Sequence, residues 1–352
     1  MAPPPSSPSW VILDREARAC GGGLVLPEGA DVSLELAAPP GVTVLTVSPR
    51  VLPTDDNAGP WVQALDPSAG LVLLGFLLRR GYLVFDIAAA TASHVPYPKG
   101  HILTEDLGVI AAPGGGGNYM VVEFRPRVGD DDGILHCFSS ETGRWEEKDV
   151  DNPLPSWKWN FDDVVSHDGK LWWVDNAAGL VFCDPFAVEP DMVYVPLDPT
   201  PEDDEDYLND RQRVEMSPAS NGAAPELSVR TLVDPETAEW TLEYAVSFAD
   251  IWVSDSYKAT ELPEKAPRLM GAFVHPKNPD VVYFFLEEHL LGVDLRARKV
   301  VEKARVSCCW VLPWDLPPAL SAGLSREGAA NGANAVPFAS PASPPSDDPN
   351  GA

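Results

Sequence analysis

The side chains best suited to catalysis lie in one short segment near the middle of the chain. His167, Asp168 and Asp175 could act as a general base with two orienting carboxylates. The segment His167-Asp168-Gly169-Lys170 is also typical of a tight turn between two strands. Neither a nucleophile elbow nor a serine or cysteine in a matching context accompanies it. The pattern therefore predicts a solvated hairpin tip and no catalytic residue.

Patterns for metals and cofactors are incomplete elsewhere in the sequence. The other histidines stand singly, without the paired spacing of a zinc site, at His94, His101, His136, His275 and His289. The glycine run 114–117 lacks the lysine and the serine or threonine that complete a phosphate-binding loop. The acidic run 202–206 lacks the glycine and the alternating ligands of an EF-hand loop. We therefore predict no metal site and no cofactor.

Three aromatic residues are the better candidates for binding. Trp157, Trp159 and Phe161 alternate with Lys158 and Asn160, which would place all three rings on one face of a strand. This face could pack between two sheets. It could equally be an exposed aromatic anchor of the kind that contributes most binding energy at protein interfaces. The three residues are our candidate protein-interaction site.

The elements that position these residues are predicted to be short strands in a repeated unit. Apolar runs close on an acidic or polar residue before a second strand follows, at Phe85-Asp86, Phe138-Ser139, Cys183-Asp184, Val233-Asp234 and Val293-Asp294. These endings recur every 45 to 60 residues. A period near 50 is typical of kelch-like blades. The sequence therefore predicts an all-β fold, a β-propeller of about six blades, with a β-sandwich or barrel as the alternative.

Nearly continuous apolar runs predict the central strands of this fold. They occupy residues 71–78, 171–174 and 281–286, and only burial on both faces of a sheet explains them. Trp172 and Trp173 are adjacent on a strand and must point to opposite faces. In a stack of blades both indoles are expected to be largely buried.

The domain organisation follows from composition. Residues 10–318 are predicted to form a single propeller-like domain. Residues 1–9 and the tail 319–352 are rich in Pro, Ser, Ala and Gly and are predicted to be disordered. Residues 198–225 contain the acidic run and are predicted to be a solvated loop insertion.

Charge and cysteine content restrict the partners and the compartment. The chain has 25 basic and 53 acidic residues, a net charge of −28, which repels phosphate backbones and anionic lipids. Nucleic acid and membranes are therefore not expected as partners. The five cysteines are scattered, and no Asn-X-Ser/Thr acceptor occurs. Both observations favour a cytoplasmic or nuclear location.

A resemblance to a known family adds to this interpretation. The segments that carry it are 8–15 (Pro-Ser-Trp-Val-Ile-Leu-Asp-Arg), Pro39-Pro40, 167–175, 179–186, 195–197, 240–242, Leu262-Pro263, His275-Pro276 and 279–284. Together with Trp159, Asp162 and Val165 they resemble the plant family known as domain of unknown function 1618. The resemblance implies a plant protein with a propeller-like body similar to that associated with F-box proteins, and no established reaction. Residues 1–9 leave no room for an F-box ahead of this body. Whether the protein acts with a ubiquitin ligase without an F-box is not determined by the sequence.

Two functions from different classes are compatible with the sequence. The first is a non-enzymatic interaction module that binds another protein through a propeller face. The alternative is a kelch-like propeller enzyme or carbohydrate binder with its site in the central channel. The lack of clustered His, Tyr and Cys ligands favours the interaction module. The partner and the oligomeric state are not determined by the sequence.

Overall fold

The computed structural model describes residues 9–20, 26–52, 59–76, 81–98, 106–127, 131–155, 159–175, 178–197, 226–235, 237–263, 269–307, 310–318 and 320. Within these ranges the chain forms twenty-three strands and two short helices. The predicted disordered ends 1–9 and 319–352 lie outside the described residues, except for Ser9 and Leu320. The predicted acidic insertion 198–225 also lies outside them.

The elements follow one another along the chain as strands of two to nine residues. The first eight strands are β1 (Trp10–Asp14), β2 (Arg18–Ala19), β3 (Val32–Glu35), β4 (Val42–Val47), β5 (Trp61–Asp66), β6 (Leu71–Gly75), β7 (Tyr82–Asp86) and β8 (Thr91–Val95). The next eight are β9 (Leu107–Ala111), β10 (Tyr119–Pro126), β11 (Asp132–Ser139), β12 (Arg144–Asp151), β13 (Asp163–His167), β14 (Lys170–Asp175), β15 (Gly179–Cys183) and β16 (Val193–Pro196). The remaining elements are β17 (Glu226–Asp234), β18 (Glu239–Ser247), α1 (Phe248–Trp252), α2 (Asp255–Lys258), β19 (Leu269–Val274), β20 (Val281–Leu286), β21 (His289–Asp294), β22 (Lys299–Arg305) and β23 (Val311–Asp315).

The strands are grouped into six units, which we number along the chain. Unit 1 has the strand order β2-β4-β1-β23, with β3 paired to β4. Units 2, 3 and 4 are four-stranded meanders of consecutive strands, β5 to β8, β9 to β12 and β13 to β16, and pairing of β5 with β13 joins units 2 and 4 in one eight-stranded sheet. Unit 5 is the hairpin β17–β18 followed by α1 and α2, and unit 6 is the meander β19 to β22. The described part of the chain is therefore all-β apart from the helices of unit 5.

Unit 1 joins the first and last strands of the described chain. β1 pairs with β23 in antiparallel register, from Trp10 opposite Asp315 to Asp14 opposite Val311. The Leu316 N–H donates to the Ser9 carbonyl at 3.0 Å and extends this pairing by one step. The two ends of the fold are therefore held in one sheet, as in propellers whose last blade contains both ends.

The first strands of units 2, 3 and 4 lie side by side. β5 and β13 are hydrogen-bonded in parallel, with Leu65 opposite Val165, and β9 packs against both. Gly108 in β9 makes this approach possible, because a Cβ there would lie 2.7 Å from side-chain atoms of Val164 and Leu171. We call the end at which β5 and β13 begin the top face.

Each core lies between two units, which accounts for the apolar runs. In β6, Val72 and Leu74 pack against unit 1, whereas Leu71 and Leu73 pack against unit 3. The same alternation holds in β1, β10 and β20. Separate cores join units 1 and 2, 2 and 3, 3 and 4, 5 and 6, and 6 and 1. The predicted runs 171–174 and 281–286 lie in β14 and β20, which are paired on both sides, and residues 71–75 of the run 71–78 lie in β6, which is likewise paired on both sides. Residues 77 and 78 lie outside the described residues.

The recurring acidic endings close hairpins. In β7 the Asp86 Oδ1 accepts the Ala89 N–H at 3.0 Å, and in β21 the Asp294 Oδ1 accepts the Ala297 N–H at 2.7 Å. Four residues after each ending, Ala90 and Arg298 have positive φ angles of 53° and 54°. Equivalent positive-φ positions are Gly70, Gly143 and Ala238, after Asp66, Ser139 and Asp234. The repeated sequence signal is therefore a turn type, in which the carboxylate satisfies turn amides.

The two adjacent tryptophans of β14 differ in burial. Trp173 is fully buried between units 3 and 4, as predicted. Trp172 is only half-buried, with its ring 4.1 Å from that of Phe182. The expectation of full cover on both faces is therefore met by Trp173, whereas Trp172 keeps part of its surface in water.

Two further expectations about the fold have different outcomes. The all-β fold is confirmed, and no single closed sheet occurs in the described residues, where the number of blades is not established. The predicted domain boundaries stay a prediction. Among the described residues, Leu320 is buried in the core between units 1 and 2.

Candidate functional site

The predicted aromatic site is divided between core and surface. Trp157 lies outside the described residues. Phe161 is buried with Phe124 in the core between units 3 and 4, so it packs between sheets. Trp159 is half-buried, its ring 5.3 Å from that of Tyr194, and its indole N–H donates to the Pro155 carbonyl at 3.2 Å. Residues 159–161 precede β13 and are not in a strand, so the predicted alternation on one strand face does not occur there.

The catalytic-looking segment forms the turn that its sequence predicts. His167 ends β13, and Asp168 and Gly169 follow it with φ angles of 50° and 73° before β14 begins. His167 and Asp168 are exposed, whereas Asp175 is buried at the other end of β14. The Asp175 Oδ1 accepts the Ala178 N–H at 3.0 Å. The structure therefore does not bring the three side chains together.

A partly buried arginine joins three units at the top face. The Arg15 Nη2 lies 2.9 Å from the Asp163 Oδ2, at the first residue of β13. The Arg15 Nη1 lies 3.5 Å from the carbonyls of Val62 and Gln63 in β5. Since Arg15 directly follows β1, the end of unit 1 is fixed to the first strands of units 2 and 4. Partial burial makes such a pair stronger than a surface ion pair.

Two tryptophans flank this junction. The Arg15 N–H donates to the Trp310 carbonyl at 3.2 Å, and Glu16 forms a backbone bridge with Trp61. The indoles of Trp61 and Trp310 lie 6.0 Å apart with an edge-to-face angle of 69°. Trp61 is half-buried, whereas Trp310 is 60% exposed, the most exposed aromatic side chain in the described ranges. We call this pair, with Glu16, the Trp61–Trp310 surface.

Acidic residues border the same face. Asp162 is exposed directly before β13, and Asp106 is half-buried directly before β9. The Asp106 carbonyl accepts the Trp173 indole N–H at 3.2 Å, and Trp173 lies opposite Val164 in β13. The starts of β9 and β13 are therefore neighbours, and their carboxylates belong to the same end of the molecule as the tryptophan pair.

A row of ionisable residues is buried in unit 3. Glu123, His136 and Glu147 lie opposite one another across β10, β11 and β12. The Glu123 side chain is fully buried, with its Oε1 3.8 Å from the Arg125 Nε. The His136 Nδ1 lies 3.8 Å from the half-exposed Glu147 Oε1. Glu123 and His136 of this row lie within the packed body, and only Glu147 reaches the surface.

A hydrogen-bonded triad connects units 5 and 6. The Tyr244 hydroxyl donates to the Asp280 Oδ1 at 2.9 Å, and the Arg296 Nε donates to the Asp280 Oδ2 at 3.0 Å. The Arg296 guanidinium also lies 4.8 Å from the centre of the Tyr244 ring. Burial and the hydrogen bond to Asp280 raise the pKa of Tyr244 to about 12. The hydrogen bonds from Arg296 and Tyr244 lower the pKa of Asp280.

Two buried thiols lie in the core between units 3 and 4. Burial raises the pKa of Cys137 to about 11 and that of Cys183 to about 12.

Among the residues that the structure describes, no three His, Cys, Asp or Glu side chains are placed to hold a metal ion. No helix in those ranges is long and apolar enough to cross a membrane.

The sequence reasoning did not find the Trp61–Trp310 surface. Trp310 directly precedes apolar residues, and so does Trp61. This pattern is typical of the start of a buried strand and does not indicate an exposed indole. Only the meeting of β1, β5 and β23 brings the two indoles together, across 249 residues of sequence. Arg15 was an available signal, because Asp14 and Arg15 are charged residues that directly follow the apolar run 10–13.

The chain is similar to one family of known sequences. The profile of the family described as protein of unknown function (DUF1618) matches residues 208–283. This stretch includes unit 5, Asp280 of the triad and the first half of β20. The match confirms, over this stretch, the resemblance to this family that the motifs predicted. Comparison with curated proteins yields no match.

Solved structures show only distant likeness. A structure of AztD from Citrobacter koseri is 10% identical, with a TM-score of 0.36 over 72% of this chain and 60% of that one. A chain of the mitotic checkpoint complex is 7% identical, with a TM-score of 0.33 over 69% and 64%. A chain of the nidogen/laminin complex is 8% identical, with a TM-score of 0.30 over 87% and 84%. The chain spans less than two thirds of the first two, and these likenesses carry no functional conclusion.

Proposed function

We propose that this protein is a non-enzymatic interaction module that binds another protein through its top face, with Trp310 as the anchor. The observation that supports this best is the exposure of Trp310 beside Trp61 and the Arg15–Asp163 pair. Tryptophan is enriched among the residues that dominate binding energy at protein interfaces. An indole that already lies largely in water is accessible to a partner without uncovering.

The alternative, a propeller enzyme or carbohydrate binder with its site in a central channel, has less support. The first strands of units 2 and 4 are hydrogen-bonded to each other through Leu65 and Val165. Strands in direct contact leave no room between them for a substrate. The proposal therefore does not include catalysis.

We further propose that the six units are blades of one closed propeller, of kelch-like or F-box-associated-like type. The cores connect units 1 to 4 in sequence and units 5, 6 and 1 in sequence. Units 4 and 5 touch where the Trp240 indole N–H donates to the Pro196 carbonyl at 2.9 Å. An experimental structure with six units around one axis is the expected result, and an open gap between units 4 and 5 would refute closure.

The proposed compartment is the cytoplasm or nucleus. The scattered cysteines and the lack of glycosylation acceptors support it. The net charge of −28 supports a protein partner over a nucleic acid or a membrane surface. Imaging of the tagged full chain is the direct measurement, and a secreted product would contradict the proposal.

Quantitative affinity purification tests the binding proposal. The wild-type protein and Trp310→Ala are compared with Val188→Ala, which truncates an apolar side chain of 93% exposure on the loop after β15. Proteins that are retained by the wild type and by Val188→Ala, and lost with Trp310→Ala, are the expected result. If the same partner proteins are recovered in equal amounts with all three baits, the proposal that the top face binds the partner is overturned. Thermal melts of each bait exclude unfolding as the cause.

A further inference from the structure

We infer that the Trp61–Trp310 surface binds a basic segment of its partner protein, with a lysine or arginine side chain against the Trp310 indole. This inference rests on the proposed function and adds the chemistry of the partner. It joins two observations at one end of the molecule, the exposed Trp310 indole beside Trp61 and the exposed Glu16 carboxylate.

The aromatic pair provides the contact for a cation. Trp61 meets Trp310 edge to face, so Trp310 keeps 60% of its surface in water. The indole face has the most favourable quadrupole of the aromatic side chains for a cation lying within about 6 Å. The backbone bonds of Arg15 to Trp310 and of Glu16 to Trp61 fix the backbone of both residues, and the indoles contact each other edge to face.

The neighbouring charges define the sign of the partner. Glu16 is exposed and has no ion pair within the described part of the chain, and Asp162 is exposed at the start of β13. The positive charge of Arg15 is already matched by Asp163 at 2.9 Å. Arg18 in β2 is the nearest exposed basic residue along the chain. Within the described residues, Glu16 is therefore the carboxylate of this surface that a cation can pair with, in line with the net charge of −28 of the whole chain.

Other partners fit this surface less well. An acidic segment would meet Glu16 and Asp162 with like charge, which costs binding energy and slows association. A purely apolar segment would use the indole but leave the carboxylates without a role. A basic segment is attracted at long range by the field of the whole molecule and oriented at short range by the aromatic pair.

Fluorescence anisotropy with defined peptides tests the inference on the full chain. The probe is a labelled peptide of alternating lysine and glycine, compared with the same peptide carrying glutamine or glutamate in place of lysine. We expect the lysine peptide to bind most tightly and Trp310→Ala to weaken it about fivefold or more. Glu16→Gln should weaken it about threefold, whereas Arg18→Gln should leave it unchanged or tighten it.

Matched controls separate the site from the general charge of the protein. Val188→Ala and Glu189→Gln remove an exposed apolar side chain and an exposed carboxylate on the loop after β15, and should change the affinity less than about twofold. Equal binding of the lysine peptide to Trp310→Ala and wild type would overturn the inference, since attachment would then depend on net charge alone. If the glutamine and lysine peptides bind with equal affinity, and both lose affinity with Trp310→Ala, the inference of a basic partner is overturned. The proposed function then stays intact. The proposed function is tested separately, by the affinity purification, and only that experiment can contradict it.

Discussion

At the residue scale, the carboxylates of this acidic chain have structural roles wherever the structure shows their bonds. Asp66 is the clearest example, because its buried side chain joins two units. Its Oδ1 accepts the N–H groups of Ser68 and Ala69 at 3.0 and 3.1 Å, and its Oδ2 accepts the Ala111 N–H of unit 3 at 2.8 Å. Ionised carboxylates accept such bonds more strongly than neutral groups do. Some of the acidic residues therefore stabilise turns, because their carboxylates accept hydrogen bonds from backbone N–H groups of the turn.

The triad of Tyr244, Asp280 and Arg296 predicts an unusual titration. A raised folded-state pKa means that the stabilisation from neutral Tyr244 is fully present below pH 10 and is lost as pH rises towards about 12. In NMR titrations of labelled tyrosine, Tyr244 should ionise near pH 12, and Asp280→Asn should move it towards its ordinary value. The stability difference between wild type and Tyr244→Phe should shrink above pH 10. A Tyr244 midpoint near 10 in the wild type would contradict the triad.

The buried thiols predict selective labelling. At pH 8 a thiol with a pKa of about 11 is ionised to only about a thousandth, and burial further blocks the reagent. Iodoacetamide should therefore modify the half-buried Cys20 in the native protein long before Cys137 or Cys183. Peptide mapping by mass spectrometry measures each site separately. Labelling of Cys137 or Cys183 at the rate of Cys20 would show that the core between units 3 and 4 opens readily.

At the element scale, one hairpin type is repeated through the fold. An acidic or hydroxyl residue ends the first strand, and a residue of positive φ precedes the second. Glycine adopts this conformation at no steric cost, whereas other residues lose roughly 1 kcal/mol or more. Gly70 and Gly143 satisfy the rule, but Ala90, Ala238 and Arg298 do not. Backbone geometry here overrides the preference of the side chain.

This repetition predicts opposite effects of one exchange at equivalent positions. Ala90→Gly should stabilise the protein by about 0.5 kcal/mol, because relief of strain exceeds the added entropy of the unfolded chain. Gly143→Ala should destabilise it by about 1 kcal/mol. No atom lies within 4 Å of a Cβ at Gly143, so the effect is one of the backbone alone. Urea unfolding of both variants is the measurement, and changes of the same sign would argue against the shared turn.

The neighbouring tryptophans of β14 predict unequal costs. Trp173→Ala removes a fully buried indole and its hydrogen bond to the Asp106 carbonyl, and should cost about 3–5 kcal/mol. Trp172→Ala removes a half-buried ring that packs against Phe182 at a tilt of 30°, and should cost about 1–2 kcal/mol. Denaturant melts of the two variants give both values. Equal losses would mean that unit 4 is covered on both faces to the same extent.

At the scale of the whole molecule, stability depends on contacts between units that are distant in sequence. β1 and β23 share a sheet across about 300 residues of chain, and Arg15 bonds to Asp163 across 148. Such long-range contacts are entropically costly to form and make folding slow. They also make the fold cooperative, because no unit has a complete core of its own.

The pairing of β1 with β23 predicts that the chain tolerates circular permutation. Since Ser9 and Leu316 are hydrogen-bonded, a short linker from Leu320 to Ser9 should join the ends without strain. New ends in the exposed loop at Gly115 should give a folded protein within about 1 kcal/mol of the wild type. A permutant opened between Val72 and Leu73, inside buried β6, is the control and should not unfold cooperatively. Failure of the loop permutant alone would contradict closure through unit 1.

Local patterns in the sequence determined the strands, their turns and the family. The apolar runs of β6 and β20, the turn after His167 and the period of the acidic endings depend on neighbours within a few residues, so they were predictable. The tertiary structure decided how the units face one another. It buried Phe161, left Trp172 half-exposed and brought Trp61 to Trp310, since burial depends on which distant strand covers a face. A single sequence specifies that pairing only through the energy of the complete fold.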